Sequence, residues 1–243
     1  RTHPMVRFEI EGGVDPLLLV RLDKGDAVAT ESNAMVAMDR VLSLKGRTRG
    51  GFFGSIARKF LNEETFFQQW VEAEEGPGEV LLAPNLPGDI RILAVGERQY
   101  CLSDGAFLAS TSEVGITTKM QSLGRAIFGG NGGFFIMSTE GRGDVAVSGF
   151  GSIREVEVRP DRPINVDNGH LVAWDASLDY EVTLNTSRSG LMGKLIQSQI
   201  TGEGLVLKFK GSGKVYVCSR SKGSFLDWIT ASRPTDKAPA NND

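Results

Sequence analysis

The sequence predicts an all-β, single-domain protein of three pseudo-symmetric β units with short helical inserts. Three observations carry this expectation: a glycine-centred motif that recurs three times, a Gly-x-Gly motif that follows each copy, and a composition dense in turn formers. Thirty glycines stand beside nine prolines and 23% charged residues in 243, which suits many short strands better than a helix bundle. A chain of this length buries roughly 70% of its unfolded surface, enough to fold without disulfides or metal.

The first motif reads apolar-x-x-Gly-x-x-apolar-Ala and occurs as Leu22 to Ala29, Leu102 to Ala109 and Val166 to Ala173. A strand, a tight turn with glycine at positive φ, and a second strand of alternating apolar residues would produce it, and Asn168-Gly169 is a hairpin signal. The second motif, Gly-x-Gly-x-Val, opens Gly76 to Ala83, Gly141 to Ser148 and Gly202 to Phe209. Turn-and-strand pairs follow at Pro87-Gly88, Phe150-Gly151 and Gly211 to Gly213. Each unit therefore reads as two hairpin-like halves, with units at about 5–96, 97–160 and 161–230. Strands of period two cannot bury their inner faces alone, so packing about a pseudo-three-fold axis is expected.

The halves lie 51, 36 and 33 residues apart, counted from Gly25 to Gly76, Gly105 to Gly141 and Gly169 to Gly202. The intervening inserts carry apolar residues at spacings of three and four: Phe53, Ile56 and Phe60, then Met120, Leu123 and Ile127, then Leu191 or Met192 with Leu195 or Ile196. That is the period of a short amphipathic helix, and each insert adds a cation: Arg58 with Lys59, Arg125, and Lys194. In the first insert Lys45, Arg47, Arg49, Arg58 and Lys59 follow one another without an acid, and Glu63, Glu64, Glu72, Glu74, Glu75 and Glu79 then follow without a cation. With Phe52, Phe53, Ile56 and Phe60 among the cations, the segment has the composition of a surface helix on an anionic membrane. The competing reading packs the aromatics on the β barrel or a neighbouring subunit and leaves the cations solvated.

A net charge of -3, from 27 basic and 30 acidic residues, argues against a surface built to neutralise phosphates. Cys101 and Cys218 lack the spacing of a zinc ribbon or a redox pair, so a reducing, cytoplasmic setting is expected. The uncharged stretch from Ala126 to Thr139 is 14 residues with four glycines, short of the roughly 18 to 20 needed to cross a bilayer. Residues 1–4 read as a tag remnant or flexible start with no secretory leader, and 234–243 as a disordered tail.

Nucleophilic catalysis needs a base beside the nucleophile, and His3 and His170 are the only histidines. His170 follows a turn glycine where the other copies have Asp26 and Ala106, which reads as an exposed turn residue. Gly211-Ser212-Gly213-Lys214 departs from a phosphate-binding loop, with Lys208 where glycine is required and Val215 where a hydroxyl is required. No catalytic residue, metal ligand or cofactor is expected. Lys208-Phe209-Lys210 and Lys214-Val215-Tyr216 have the texture of an RNA-binding strand, but half-buried strands alternate in the same way, so nucleic acid is not the expected partner.

Gly50 to Phe60, the following Phe66-Phe67, Leu82-Ala83-Pro84 with Pro87-Gly88, and Gly105 to Ala109 together resemble the bacterial branch of the altered-inheritance-of-mitochondria protein twenty-four family, from Met5 to about Trp228. The resemblance implies a fold similar to the tryptophan RNA-binding attenuation protein, double-stranded β-helix-like, and trimers or higher assemblies. It also implies that mitochondrial members support inner-membrane organisation and respiratory-chain assembly, and it brings no catalytic residues. The expectation is a non-enzymatic oligomeric scaffold or interaction protein, in contact with a protein partner or peripherally with an anionic membrane through Gly46 to Trp70 and Gly124 to Ile136. Arg49, Phe52, Phe53, Ile56, Arg58, Lys59 and Phe60 are the candidate contact residues. The alternatives are a small-molecule or carbohydrate binder that uses the β interior, or a weakly RNA-binding module.

Overall fold

Short apolar runs bounded by glycine and polar turns make strands whose hydrogen bonds are closed far away in sequence. The computed structural model describes residues 6–47, 68–122, 133–184 and 204–232, and these form nineteen strands and one α-helix. The strands are β1 (Arg7–Glu11), β2 (Leu17–Leu22), β3 (Ala27–Glu31), β4 (Met35–Met38), β5 (Ser43–Arg47), β6 (Gln68–Glu72), β7 (Gly78–Leu82), β8 (Gly88–Val95), β9 (Tyr100–Ser103) and β10 (Phe107–Thr111). They continue with β11 (Val114–Ser122), β12 (Gly133–Gly141), β13 (Gly143–Phe150), β14 (Ile153–Val158), β15 (Ile164–Asp167), β16 (Leu171–Asp175), β17 (Asp179–Leu184), β18 (Leu205–Lys210) and β19 (Gly213–Cys218), before the helix α1 (Lys222–Ala231). Among the described residues the protein is all-β apart from this helix and a short 3-10 turn at Asn168–His170.

Four antiparallel sheets have the strand orders β1-β2-β7-β4, β5-β6-β3-β10-β13-β8, β11-β12-β9-β16-β19-β14 and β15-β18-β17. Advancing every strand of the second sheet by six places reproduces the third. The fourth sheet is the first half of the same pattern, and the first sheet is its second half with β1 added at the edge. The repeat is therefore six strands long: β2 to β7, β8 to β13, and β14 to β19. Its boundaries, 17–82, 88–150 and 153–218, differ from the units read from the motifs because pairing, and not motif order, defines the unit.

Register fixes the equivalences. The same bulge interrupts β4 on β7 between Met35 and Ala37, β10 on β13 between Phe107 and Ala109, and β16 on β19 between Leu171 and Ala173. The first-unit counterpart of Leu102 to Ala109 is thus Thr30 to Ala37, not Leu22 to Ala29. Asn33, at φ 67°, takes the left-handed place that Gly105 fills at φ 73°, and asparagine is among the few residues that tolerate it. Gly169 needs no such conformation; its N–H donates to Asp167 Oδ1 at 2.8 Å within the 3-10 turn. The turns are also not hairpins. β2 and β3 lie in different sheets, as do β9 and β10, and β15 and β16, so each turn is a corner that carries the chain from one layer to the next.

The Gly-x-Gly motif marks a second corner, and its third copy is Gly211-Ser212-Gly213, not Gly202-Glu203-Gly204, because Val80, Val145 and Val215 hold matching places opposite β4, β10 and β16. A side chain pins each of these corners. Asp39 Oδ2 accepts from Glu79 N–H at 2.8 Å, Thr111 Oγ1 from Asp144 N–H at 3.2 Å, and Asp175 Oδ2 from Lys214 N–H at 2.9 Å. The second glycine leaves room for the pin: a Cβ on Gly213 would stand 2.8 Å from Asp175 Oδ2, and one on Gly143 would run into Thr111 Oγ1.

Three cores fill the spaces between successive sheets. Leu18, Val20, Leu82 and Leu108 lie in the first, Leu102, Phe107, Val145 and Val172 in the second, and Trp174, Leu207, Phe209 and Val215 in the third. Near the middle of the two central sheets both faces are covered, and every residue of β10 and β16 is buried. Each fully buried Val, Leu or Phe contributes about 1.5–3 kcal/mol relative to exposure. α1 lies where the sequence reading ended the third β unit. Ser221 caps it, its Oγ accepting from Ser224 N–H at 3.4 Å, and Phe225 packs edge-on to Phe150 at 5.2 Å between centroids.

Candidate interaction surface

Among the described residues of each unit, only one sequential strand pair is a hairpin: β5 with β6, β11 with β12, and β17 with β18. Their last paired residues are Arg47 with Gln68, Ser122 with Gly133, and Leu184 with Leu205. The three variable inserts leave from these ends, so they occupy equivalent positions in the repeat. Arg49, Phe52, Phe53, Ile56, Arg58, Lys59 and Phe60 lie in the first, outside the described residues, as do the helical spacings beyond Met120. Met120 itself belongs to β11.

The stems modify the expected surface. Lys45, read as one of an unopposed row of cations, donates to Glu72 Oε2 at 2.7 Å and to Glu74 Oε1 at 2.6 Å, and these two bonds hold its ammonium above the ordinary lysine range. Acid and base of this segment thus meet within one hairpin. At the far end of the second insert Ile136 is a core residue of the third cluster, so the apolar contact strip cannot extend to it.

The other candidate side chains among the described residues are held within the fold. His170, half-buried, donates from Nδ1 to the Cys218 carbonyl at 2.8 Å. Burial pushes both thiols up, and the cysteines face different cores across the third sheet, Cys101 the third and Cys218 the second. Phe209 is wholly buried against Trp174, 5.8 Å between centroids, and Tyr216 is also buried, so the two basic-aromatic strands offer no ring for base stacking.

One polar cluster was not legible in the sequence. Asp175 is buried at 4% exposure with Arg98 at 3.7 Å, and Lys214 pairs with Glu155 at 2.8 Å. The hydrogen bond from Lys214 draws the Glu155 carboxyl below its usual range, while burial and the nearby Glu155 carboxylate push the Tyr216 phenol upward. The cluster holds β14, β16 and β19 together at the corner that Asp175 pins. The equivalence of Asp39, Thr111 and Asp175 would have pointed to it, but it depends on register.

These features define a three-unit antiparallel β protein that presents one insert per unit from equivalent hairpins. The chain belongs to the family described as mitochondrial biogenesis AIM24, whose model matches residues 8–220 and so spans all three units and stops before α1. An uncharacterized protein of Streptococcus pyogenes serotype M6 is 35% identical over 237 residues, covering 95% of this chain and 92% of its own. The X-ray crystal structure of a Streptococcus pyogenes structural-genomics target is similar with a TM-score of 0.75 at 33% identity, over 93% of this chain and 99% of that one. Among the described residues, no helix is long and apolar enough to cross a membrane.

Proposed function

We propose that the protein is a non-enzymatic, oligomeric scaffold or interaction protein whose inserts meet a protein partner or, peripherally, an anionic membrane surface at the cytoplasmic side. The observation that carries this reading is the placement of three glycine-bearing inserts at the ends of equivalent hairpins. Repetition at one structural position suits avidity toward an extended or repetitive partner. The basic aromatic residues Arg49, Phe52, Phe53, Ile56, Arg58, Lys59 and Phe60 supply apolar area and charge attraction of the kind that anionic lipids draw. The binding of His170 to a backbone carbonyl and the burial of both thiols support a structural over a catalytic use of these side chains. A ligand in the β interior is less favoured, since Leu18, Leu102 and Leu207 fill the spaces between sheets at 0% exposure.

Flotation with anionic liposomes at low and high salt, beside neutral liposomes, tests the membrane form of the reading. Binding to anionic vesicles should fall with salt and vanish when Gly50 to Leu61 is replaced by a short Gly-Ser loop in a folded protein. Flotation that survives the replacement removes the first insert from the interaction.

A further inference from the structure

The six-strand repeat joins its units by a recurring seam. In the second sheet β3 pairs with β10 of the next unit, placing Thr30 opposite Ala109, Ala29 opposite Ser110 and Val28 opposite Thr111. In the third sheet β9 pairs with β16 in the same way, with Leu102 opposite Ala173, Cys101 opposite Trp174 and Tyr100 opposite Asp175. β15 is the counterpart of β3 and β9, and β4 is the counterpart of β10 and β16. These two strands end the fourth and first sheets, and among the described residues neither has a strand on its outer side.

We propose that β15 and β4 are the two halves of a third seam, closed by a second copy of this chain. β15 of one copy adds antiparallel to β4 of the next, with Val166 opposite Ala37, Asn165 opposite Met38 and Ile164 opposite Asp39. The inference rests on the oligomeric reading above but not on the inserts.

Backbone and side chains both fit this occupant. Asp39 N–H donates to Glu79 O at 3.0 Å on β7, so the adjacent Met38 turns its N–H and C=O to the open edge. Across the internal seam Ala176 N–H donates to Gln99 O at 2.8 Å; Pro163 takes the place of Gln99 and keeps the carbonyl this bond uses. Val36 is 54% exposed, whereas its counterparts Leu108 and Val172 are 0% and 2% exposed, each packed on the preceding sheet. In the assembly that sheet is the partner copy's third. Natural edge strands are usually guarded by charge, proline or a bulge turned outward; Met35-Val36-Ala37-Met38 has no charge and no proline, and its bulge faces β7. Such a head-to-tail interface gives a ring if the rotation closes and a linear array if it does not.

The test measures mass by light scattering after size exclusion for the full chain, Val36→Asp and Asn165→Lys. Both substitutions fall on exposed side chains and spare the monomer fold, as circular dichroism should show. The full chain should form multiples of 26.2 kDa that grow with concentration, and each variant alone should run at 26.2 kDa. An equimolar mixture should form a dimer and nothing larger, because one variant keeps β15 and the other keeps β4. A full chain that stays monomeric, variants that assemble like the full chain, or a mixture that stays monomeric each overturns the proposal. Vesicle flotation reads the inserts and mass reads the edges, so the two readings fail separately.

Discussion

Gly143→Ala is the sharpest test of why the Gly-x-Gly motif exists. The new Cβ would collide with Thr111 Oγ1, stand 3.1 Å from Val114 Cγ2, and sit on a backbone at φ 146°. Backbone strain of this kind costs about 1–3 kcal/mol, and overpacking a buried site costs about 1–3 kcal/mol more. A loss of about 2–6 kcal/mol is expected, read from urea unfolding as a lower midpoint at unchanged slope. Thr111→Ala alone gives up the 3.2 Å bond from Asp144 N–H, a loss of about 0.5–1.5 kcal/mol. The double variant removes the colliding hydroxyl, so it should be more stable than the sum of the single losses by about 1–2 kcal/mol. A Gly143→Ala protein within about 0.5 kcal/mol of the parent, or strict additivity in the double variant, would falsify the account of the pinned corner.

Two further outcomes follow from burial. Because Cys101 and Cys218 face different cores, protein oxidised in its native state and then denatured should still titrate as two free thiols without an intramolecular disulfide, and native labelling should be slower at buried Cys218 than at half-buried Cys101; finding fewer than two thiols contradicts the placement. Burial raises the Asp144 carboxyl, so its folded-state pKa exceeds the unfolded one, and its contribution to stability declines as pH rises through that interval. Asp144→Asn should therefore raise the melting temperature at neutral pH and lose this advantage below pH of about 4; an equal gain at both ends would show that charge burial is not the cause.

The motifs reveal a repeating all-β chain, and the positions of Leu102 to Ala109, Val166 to Ala173 and the first two Gly-x-Gly turns survive in the structure as equivalent sites. The variable inserts are also legible as equivalent, because glycine and strand spacing bracket them on both sides. The first-unit copy is misaligned by eight residues for a physical reason: Asn33 can adopt the left-handed turn conformation otherwise assigned to glycine, and Gly25 forms a similar turn just before it. The cluster around Asp175 stays hidden because the pin can be aspartate or threonine, and an oxygen acceptor leaves no fixed letter to find.

The residues dictate the local features: alternation makes strands, glycines make turns, and a three-fold recurrence makes units. Which strand each edge meets is fixed by long-range pairing. A tight turn followed by a strand has the same sequence signature whether the chain folds back on the preceding strand or crosses to the next sheet, because the choice depends on hydrogen-bond partners tens of residues away. β2 to β3 cross, β5 and β6 pair, and the exposed edge of β4 follows from that long-range pairing.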